Sequence, residues 1–420
     1  MIDAREKFRE LTRVFDPIYR PYQDAGDGPG SSYVREAHEG YREQLEAALD
    51  LNDNAKLLVA GQPGCGKTTL LLSVAQWLRS EGRIAAFVDL EAQTAVQDLG
   101  AVEMHLAAMA ALLSQARGTG AVPSAGTIEA CRGWIEELEG SAPPPDPDAL
   151  ATALRRHLAR ARDSDGIRKE LRDRAAQGGA DHTLELLTLI LQDLSERRPV
   201  VILDGLDKLP PGQARDTFLD DKRKPMAEAS GSAILTIPLS IVYEPTFNVL
   251  SERYNNADSA VLPAVRLWDF DPKTRERRRS SKGERILRRI VEARVNPIDL
   301  GIVMSEALER AIVGSGGNIR ELSRLMQSSV VKAHVRRGSF VEPQDVEAAI
   351  ADQRESFRRA YEPRFLPVLK KVRDECQLEG GGEVSKQLLY GLWVVEYRNG
   401  TAWYSLPEPV EQLLRQMERG

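Results

Sequence analysis

An α/β fold organised around a parallel sheet is what this 420-residue sequence predicts, and three observations predict it. Short apolar runs alternate with segments of helical periodicity through the first 270 residues, as in a parallel sheet covered on both faces by helices. The run VVILD at 200–204 is apolar without alternation until it ends in acid, as a strand buried on both sides must be. A third run, LLVAGQPGCGKTTLLLSV at 57–74, packs three glycines between a strand-like and a helix-like segment.

The elements follow in order. Residues 1–30, including the aromatic and proline-rich FDPIYRPYQDAGDGPGSS, read as an extended lead-in. YVREAHEGYREQLEAALD has helical spacing and ends near Asn52. LLVAG is a short strand, KTTLLLSVAQWLRSEG a helix stopping at Gly82, and RIAAFVDLE (83–91) the next strand. A helix runs to about Arg117. The breaker-rich GTGAVPSAG and EGSAPPPDPDA make 118–180 an insertion of loops and helices. HTLELLTLILQDLSERR is an amphipathic helix leading into the strand of PVVILDGLDKLP. SAILTIPLSIVY and AVLPAVRLW are two further strands. From about Asp271 the chain becomes helical, and near Gln377 it changes again. EVSKQLLYGLW starts as a helix, and WVVEYRNGTAWYSL is a hairpin with Asn399-Gly400 as a two-residue turn. EPVEQLLRQMER is a closing helix. The expected organisation is an N-terminal extension (1–40), a sheet core (41–270), a helical region (271–376) and a small winged-helix-like domain (377–420).

Composition narrows the function classes. Hydrophobic residues make up 42% and charged residues 29%, the mix of a soluble globular protein, and the net charge of −6 gives no global attraction to nucleic acid or anionic membrane. MIDAREKFRE lacks the apolar core of a signal peptide, and no run of about 18 apolar residues suggests a membrane span. Cys65, Cys131 and Cys376 lie far apart, without metal-ligand or disulfide spacing, so a reduced, cytoplasmic protein is expected.

Gly61-Gln62-Pro63-Gly64-Cys65-Gly66-Lys67-Thr68 has the spacing of a phosphate-binding loop: glycine, four residues, then glycine, lysine and threonine. Glycines let backbone N–H groups curl around phosphate oxygens, and the helix that follows adds the positive end of its dipole. Lys67 reaches the β and γ phosphates, the Thr68 hydroxyl ligates Mg²⁺, and Thr69 completes the binding segment. Asp204, ending an apolar strand, is the carboxylate expected to orient a Mg²⁺-bound water at the carboxyl edge of the sheet.

GQPGCGKTT, VVILDGLDKL and SGGNIRELSRLM together resemble the AAA+ and STAND branch of P-loop ATPases, over residues 40–350. The resemblance implies a P-loop NTPase core that binds ATP and Mg²⁺, followed by a helical lid. It also implies a second sensor, for which Arg320 stands in the arginine's place after Gly316, Gly317 and Asn318. Thr236 corresponds to a polar first sensor, ahead of Ser240. Arg253 stands at the end of the helix from which such proteins complete a neighbour's site. One departure is Gly205, where AAA+ ATPases carry the glutamate that polarises the attacking water. The base role then falls to Asp207, as in STAND switches, or to Glu91, as in RecA-like relatives, and the expected turnover is slow.

Residues 273–294 hold ten basic and three acidic residues, a local charge of +7, while Ile286, Leu287, Ile290 and Val291 mark one packed helix face. This run is the candidate DNA contact. The winged-helix-like segment offers only Arg398 and Lys386, although origin-recognition initiators append such a domain to an AAA+ core. The resemblance implies a nucleotide-dependent switch that assembles as a homo-oligomer or with an effector protein, in a bacterial anti-phage or DNA-linked setting and away from membranes. The alternatives are a DNA-binding initiator or transposition-regulator ATPase, and a scaffold that holds ATP without hydrolysing it.

Overall fold

Five strands, β1 (Lys56–Gly61), β2 (Ala85–Asp89), β3 (Val200–Asp204), β4 (Ser232–Thr236) and β5 (Ala260–Leu262), form a sheet in the order β2-β3-β4-β1-β5. The structure is a computed structural model and describes residues 4–17, 33–219, 226–254, 260–271, 273, 274 and 276–419. Pairing is parallel from β2 through β3 and β4 to β1. Every residue of β1, β3 and β4 is buried, which is why these runs read as unbroken apolar strands. The fold is the α/β, parallel-sheet class that the alternation of strands and helices implied.

Residues 40–60 and 70–261 make one compact unit, and residues 1–39, 61–69 and 262–420 another. In the first, the Ala101–Gly118 helix is buried nearly all round, because the Pro147–Asp163 and Ala180–Asp193 helices and β2 pack against it. The stretch 118–180 is mostly helix, and its breakers turn out to be caps. Ser124 Oγ accepts from Thr127 N, Asp146 accepts from Ala149 N just before Pro147, and Gly140 closes its helix at φ 71°. Three predicted strands are shorter than expected; the AVLPAVRLW run gives the sheet only β5, which ends at Leu262 before Pro263. β2 stops at Asp89, which caps a single helical turn over Leu90–Gln93. β4 stops at Thr236, because Pro238 cannot continue the ladder and starts the helical turn Leu239–Val242, where Ser240 lies. Lys56 opens β1 with its side chain buried, and Nζ donates to Asn54 Oδ1 (3.0 Å) and to the carbonyls of Ala229 (2.7 Å) and Gly231.

The second unit has its own core, built from the Ser281–Val295, Ser305–Gly314, Ile319–Val335 and Pro343–Ala360 helices. Three expectations need correction here. The start of the chain is not all extended: Ala4–Val14 is a helix, and Phe8, Leu11, Val14 and Phe15 enter this core, a spacing hidden among seven charged or polar neighbours. Helix does not begin at Asp271, because β6 (Trp268–Phe270) first pairs antiparallel with β7 (Arg277–Arg279). In the C-terminal hairpin, β8 (Val395–Asn399) and β9 (Thr401–Ser405) pair up to Asn399 opposite Thr401, so Gly400 alone lies between the strands instead of a two-residue Asn399-Gly400 turn. That register sets Tyr397 directly across from Trp403, with ring centroids 4.7 Å apart, and both rings join the core of the helices. Among the described residues no helix is long and apolar enough to cross a membrane, and the three cysteines are buried and form no disulfide.

Candidate functional site

The glycine-rich segment closes β1 and opens the Lys67–Ser80 helix. Gly64 (φ 82°) and Gly66 (φ 100°) both lie in the left-handed region. Added Cβ atoms would also collide: at Gly64 with Arg320 Cβ (2.3 Å) and Asn318 Oδ1 (2.6 Å), at Gly66 with His38 Nε2 (2.4 Å). A side chain at either position would be strained and would force its neighbours to shift. Lys67 is buried, and its ammonium donates to the carbonyls of Gly61 (2.9 Å) and Gln62 (3.2 Å), which keeps the cation inside the loop. Thr68 and Thr69 occupy the first turn of the helix, half-buried, and Cys65 is buried.

The loop is held from outside by the turn before the Ile319–Val335 helix. Gly316 and Gly317 have positive φ, and Asn318 Oδ1 caps that helix by accepting from Arg320 N and Glu321 N, both at 3.1 Å. The same side chain turns its Nδ2 to the loop and donates to Pro63 O (2.8 Å), while Arg320 N donates to Gly64 O (3.2 Å). Arg320 therefore sits in the first turn of its helix with its backbone tied to the phosphate loop. Arg324, one turn on, pairs with Glu321 at 2.7 Å.

His38 backs the loop at Gly66. Its Nδ1 shares a hydrogen bond with Tyr33 Oη (3.2 Å), and burial pushes its pKa down to about 4 against the opposing pull of the Cys65 backbone. The ring is neutral at pH 7.

In the sheet unit, Asp204 ends β3 buried, and Asp89 at the end of β2 is its partner in register. Thr236 Oγ1 accepts from Gly205 N (3.0 Å) and Leu206 N (3.1 Å) and donates to Leu203 O (3.4 Å). This one hydroxyl fixes the left-handed turn at Gly205 (φ 102°) on which Asp204 and Asp207 are set. Asp207 lies half-buried in the short helical turn Leu206–Lys208. Glu91 lies beyond the strand end, in the Leu90–Gln93 turn, and its carboxylate is taken by the Lys208 ammonium. Arg253 closes the Phe247–Arg253 helix, and its side chain lies outside the described residues.

Three features escaped the sequence reading. Asp89, rather than Glu91, is the strand-end acid beside Asp204; the FVDLE string contains both, and only the register separates them. His38 behind Gly66 and the tether from Asn318 to Pro63 are contacts across 28 and 255 positions, for which no local signal exists.

Four residues of the basic run are paired with carboxylates. Arg278 pairs with Glu276, Arg279 with Glu309 and Glu284, Lys282 with Glu39, and Arg289 with Glu36. Arg294 is buried, donating to Val14 O and Ser323 Oγ. Arg275 lies outside the described residues.

No protein-family model matches the chain, and no curated protein is significantly similar to it. Among solved structures, Cdc6p from Pyrobaculum aerophilum is 12% identical over 97% of each chain, with a TM-score of 0.41. The ORC2 protein of Aeropyrum pernix, solved as ADPNP-ADP complexes, is 15% identical over 97% of this chain and 98% of its own, with a TM-score of 0.42. The Aeropyrum pernix ORC1 protein, solved in complex with DNA, is 14% identical over 99% and 98%, with a TM-score of 0.40. Likeness of this extent says nothing of activity.

Proposed function

We propose that the chain is an AAA+/STAND-like switch ATPase that binds ATP on residues 61–69 and hydrolyses it slowly. The observation that carries this reading is the loop itself. A glycine-lysine-threonine phosphate motif lies between a buried strand and a helix N-terminus, with glycines at 64 and 66 in a left-handed, crowded backbone that a side chain would strain. Such a loop presents N–H groups and the helix dipole to an anion, and Lys67 adds a full positive charge. Thr68 and Asp204 are the residues that would hold Mg²⁺, which when bound neutralises charge on the phosphates.

Asp207, by the resemblance to STAND switches, is the proton acceptor for the attacking water, with Glu91, which pairs with Lys208, as the alternative. Thr236 acts as a positioning residue for the Asp204–Asp207 turn. Arg320 would meet the γ-phosphate from a helix whose start is tied to the loop, so that lid orientation follows the nucleotide. A glycine after the metal aspartate removes the usual base and favours a switch over a motor. Three carboxylates from outside the basic run, Glu36, Glu39 and Glu309, reduce the positive charge it offers a duplex, which favours assembly with protein over duplex binding. The bacterial defence setting rests on the family resemblance alone.

Calorimetric titration with Mg·ATP, alongside Lys67→Ala, tests the reading. Wild type should bind and Lys67→Ala should not. Turnover should fall well below the roughly 10 s⁻¹ median of enzymes and should be unmoved by DNA. Near-native affinity in Lys67→Ala would place the nucleotide elsewhere, and zero turnover with tight binding would favour the scaffold alternative.

A further inference from the structure

Gln62, the second residue of the phosphate loop, is 1% exposed, and its amide is engaged on both ends. Nε2 donates to Leu389 O (2.9 Å) and Val394 O (2.7 Å), and Oε1 accepts from Glu396 N (2.8 Å). All three partners are backbone groups of one short stretch, where the Glu383–Tyr390 helix turns into β8. A glutamine is not needed to bind phosphate, since that loop position contributes through its backbone. Its side chain has been committed to the C-terminal segment instead.

The next two loop residues are held as well, Pro63 by Asn318 and Gly64 by Arg320. β8 reaches the same turn from its other side: Glu396 O accepts from Ala264 N (3.1 Å), Val265 N donates to Gly317 O (3.0 Å), and Tyr397 Oη donates to Gly316 O. Residues 394–397 thus grip both the phosphate loop and the turn that carries Arg320. A buried amide cannot leave three backbone partners unpaired without a large penalty. When the loop backbone shifts around a phosphate, the 389–396 stretch must move with it or lose these bonds.

We propose that Gln62 is a positioning residue that transmits the state of the phosphate loop to the C-terminal helix–hairpin, residues 383–419. This makes that segment the reporter of bound nucleotide. The inference rests on the nucleotide reading above.

Hydrogen exchange of the full-length chain, read by mass spectrometry at saturating Mg·ATP or Mg·ADP, tests it, with the affinity of each variant measured first. In wild type, peptides covering 389–396 should exchange at rates differing roughly fivefold to tenfold between the two nucleotides, the worth of one buried hydrogen bond. Gln62→Met keeps length and volume but makes none of the three bonds. In it the ATP/ADP difference at 389–396 should vanish, while loop peptides still respond to nucleotide. If Gln62→Met does not fold, Gln62→Glu serves, since it keeps the acceptor for Glu396 N and loses both donors; the difference should shrink. An undiminished difference in the variant, or none in a wild type that binds both nucleotides, overturns the coupling. A wild type that binds neither nucleotide overturns the functional reading instead.

Discussion

Asn318 performs two jobs with one side chain, and substitutions can separate them. Its Oδ1 caps a helix through two backbone N–H groups, and its Nδ2 tethers Pro63 O of the phosphate loop. The residue is 0% exposed, so water cannot replace either set of bonds. Removing a cap of this type costs about 1 kcal/mol. Losing the Nδ2 bond, with a carbonyl left short of a partner, adds about 1–2 kcal/mol. Asn318→Ala should therefore lose about 2–3 kcal/mol from the unit containing the Ile319–Val335 helix. Asn318→Ser keeps a capping oxygen but is too short to reach Pro63, so it should lose only about 1–2 kcal/mol. Both variants should weaken ATP binding alike, by roughly fivefold to tenfold, because the Gly64–Arg320 bond remains and the loop is loosened rather than released. Urea unfolding read by hydrogen exchange of peptides from the Ile319–Val335 helix gives the stabilities, and calorimetry the affinities. A serine variant as unstable as alanine would refute the capping half. A serine variant that binds ATP as tightly as wild type would refute the tether.

Two further outcomes follow from the described geometry. Asp204→Ala should impair Mg²⁺-dependent ATP binding and turnover together, whereas Asp207→Ala should spare binding and slow turnover by about 10²-fold; rapid-quench and binding assays separate the two, and full activity in Asp207→Ala would move the base role to Asp89 or Glu91. Acid should destabilise each unit through a buried neutral histidine. His38 and His105 have folded pKa values of about 4, lowered from 6.5 by burial, so the unfolded chain binds protons that the folded chain refuses. Stability from each is complete above pH 6.5 and is lost as pH falls toward 4, by about 3 kcal/mol per residue. His105→Gln, which keeps a partner for Thr183 Oγ1, should flatten the acid limb of a stability–pH curve, and an unchanged slope would contradict the assignment.

The sheet was legible because its physics is local. Apart from Lys56 at the start of β1 and Asp204 at the end of β3, these strands are apolar since both faces are covered, and the helix after the phosphate loop announces itself by periodicity. The β6–β7 hairpin was not legible: each strand has three residues, and one of them is Arg277–Arg279, a string that looks like a solvated run. The Ala4–Val14 helix hid its apolar face among charges. The hairpin register at Asn399-Gly400 sets the tilted rings of Tyr397 and Trp403 against each other, and no turn rule contains that contact. At the site, the loop could be read from glycine spacing. Its supports at His38, Asn318 and residues 389–396 could not, because each is brought by a part of the chain that says nothing locally about phosphate.

The hydrogen bonds of Gln62 span 327, 332 and 334 positions of sequence, and this has a consequence for the order in which the protein matures on the ribosome. At synthesis rates of roughly 5–20 residues per second, the loop leaves the ribosome some tens of seconds before its partners do. The nascent chain can assemble β1 through β4 and still lack the groups that fix residue 62. Completion of the nucleotide loop therefore waits for residues 389–396, and a chain terminated before Leu389 keeps the whole motif without the segment that sets it.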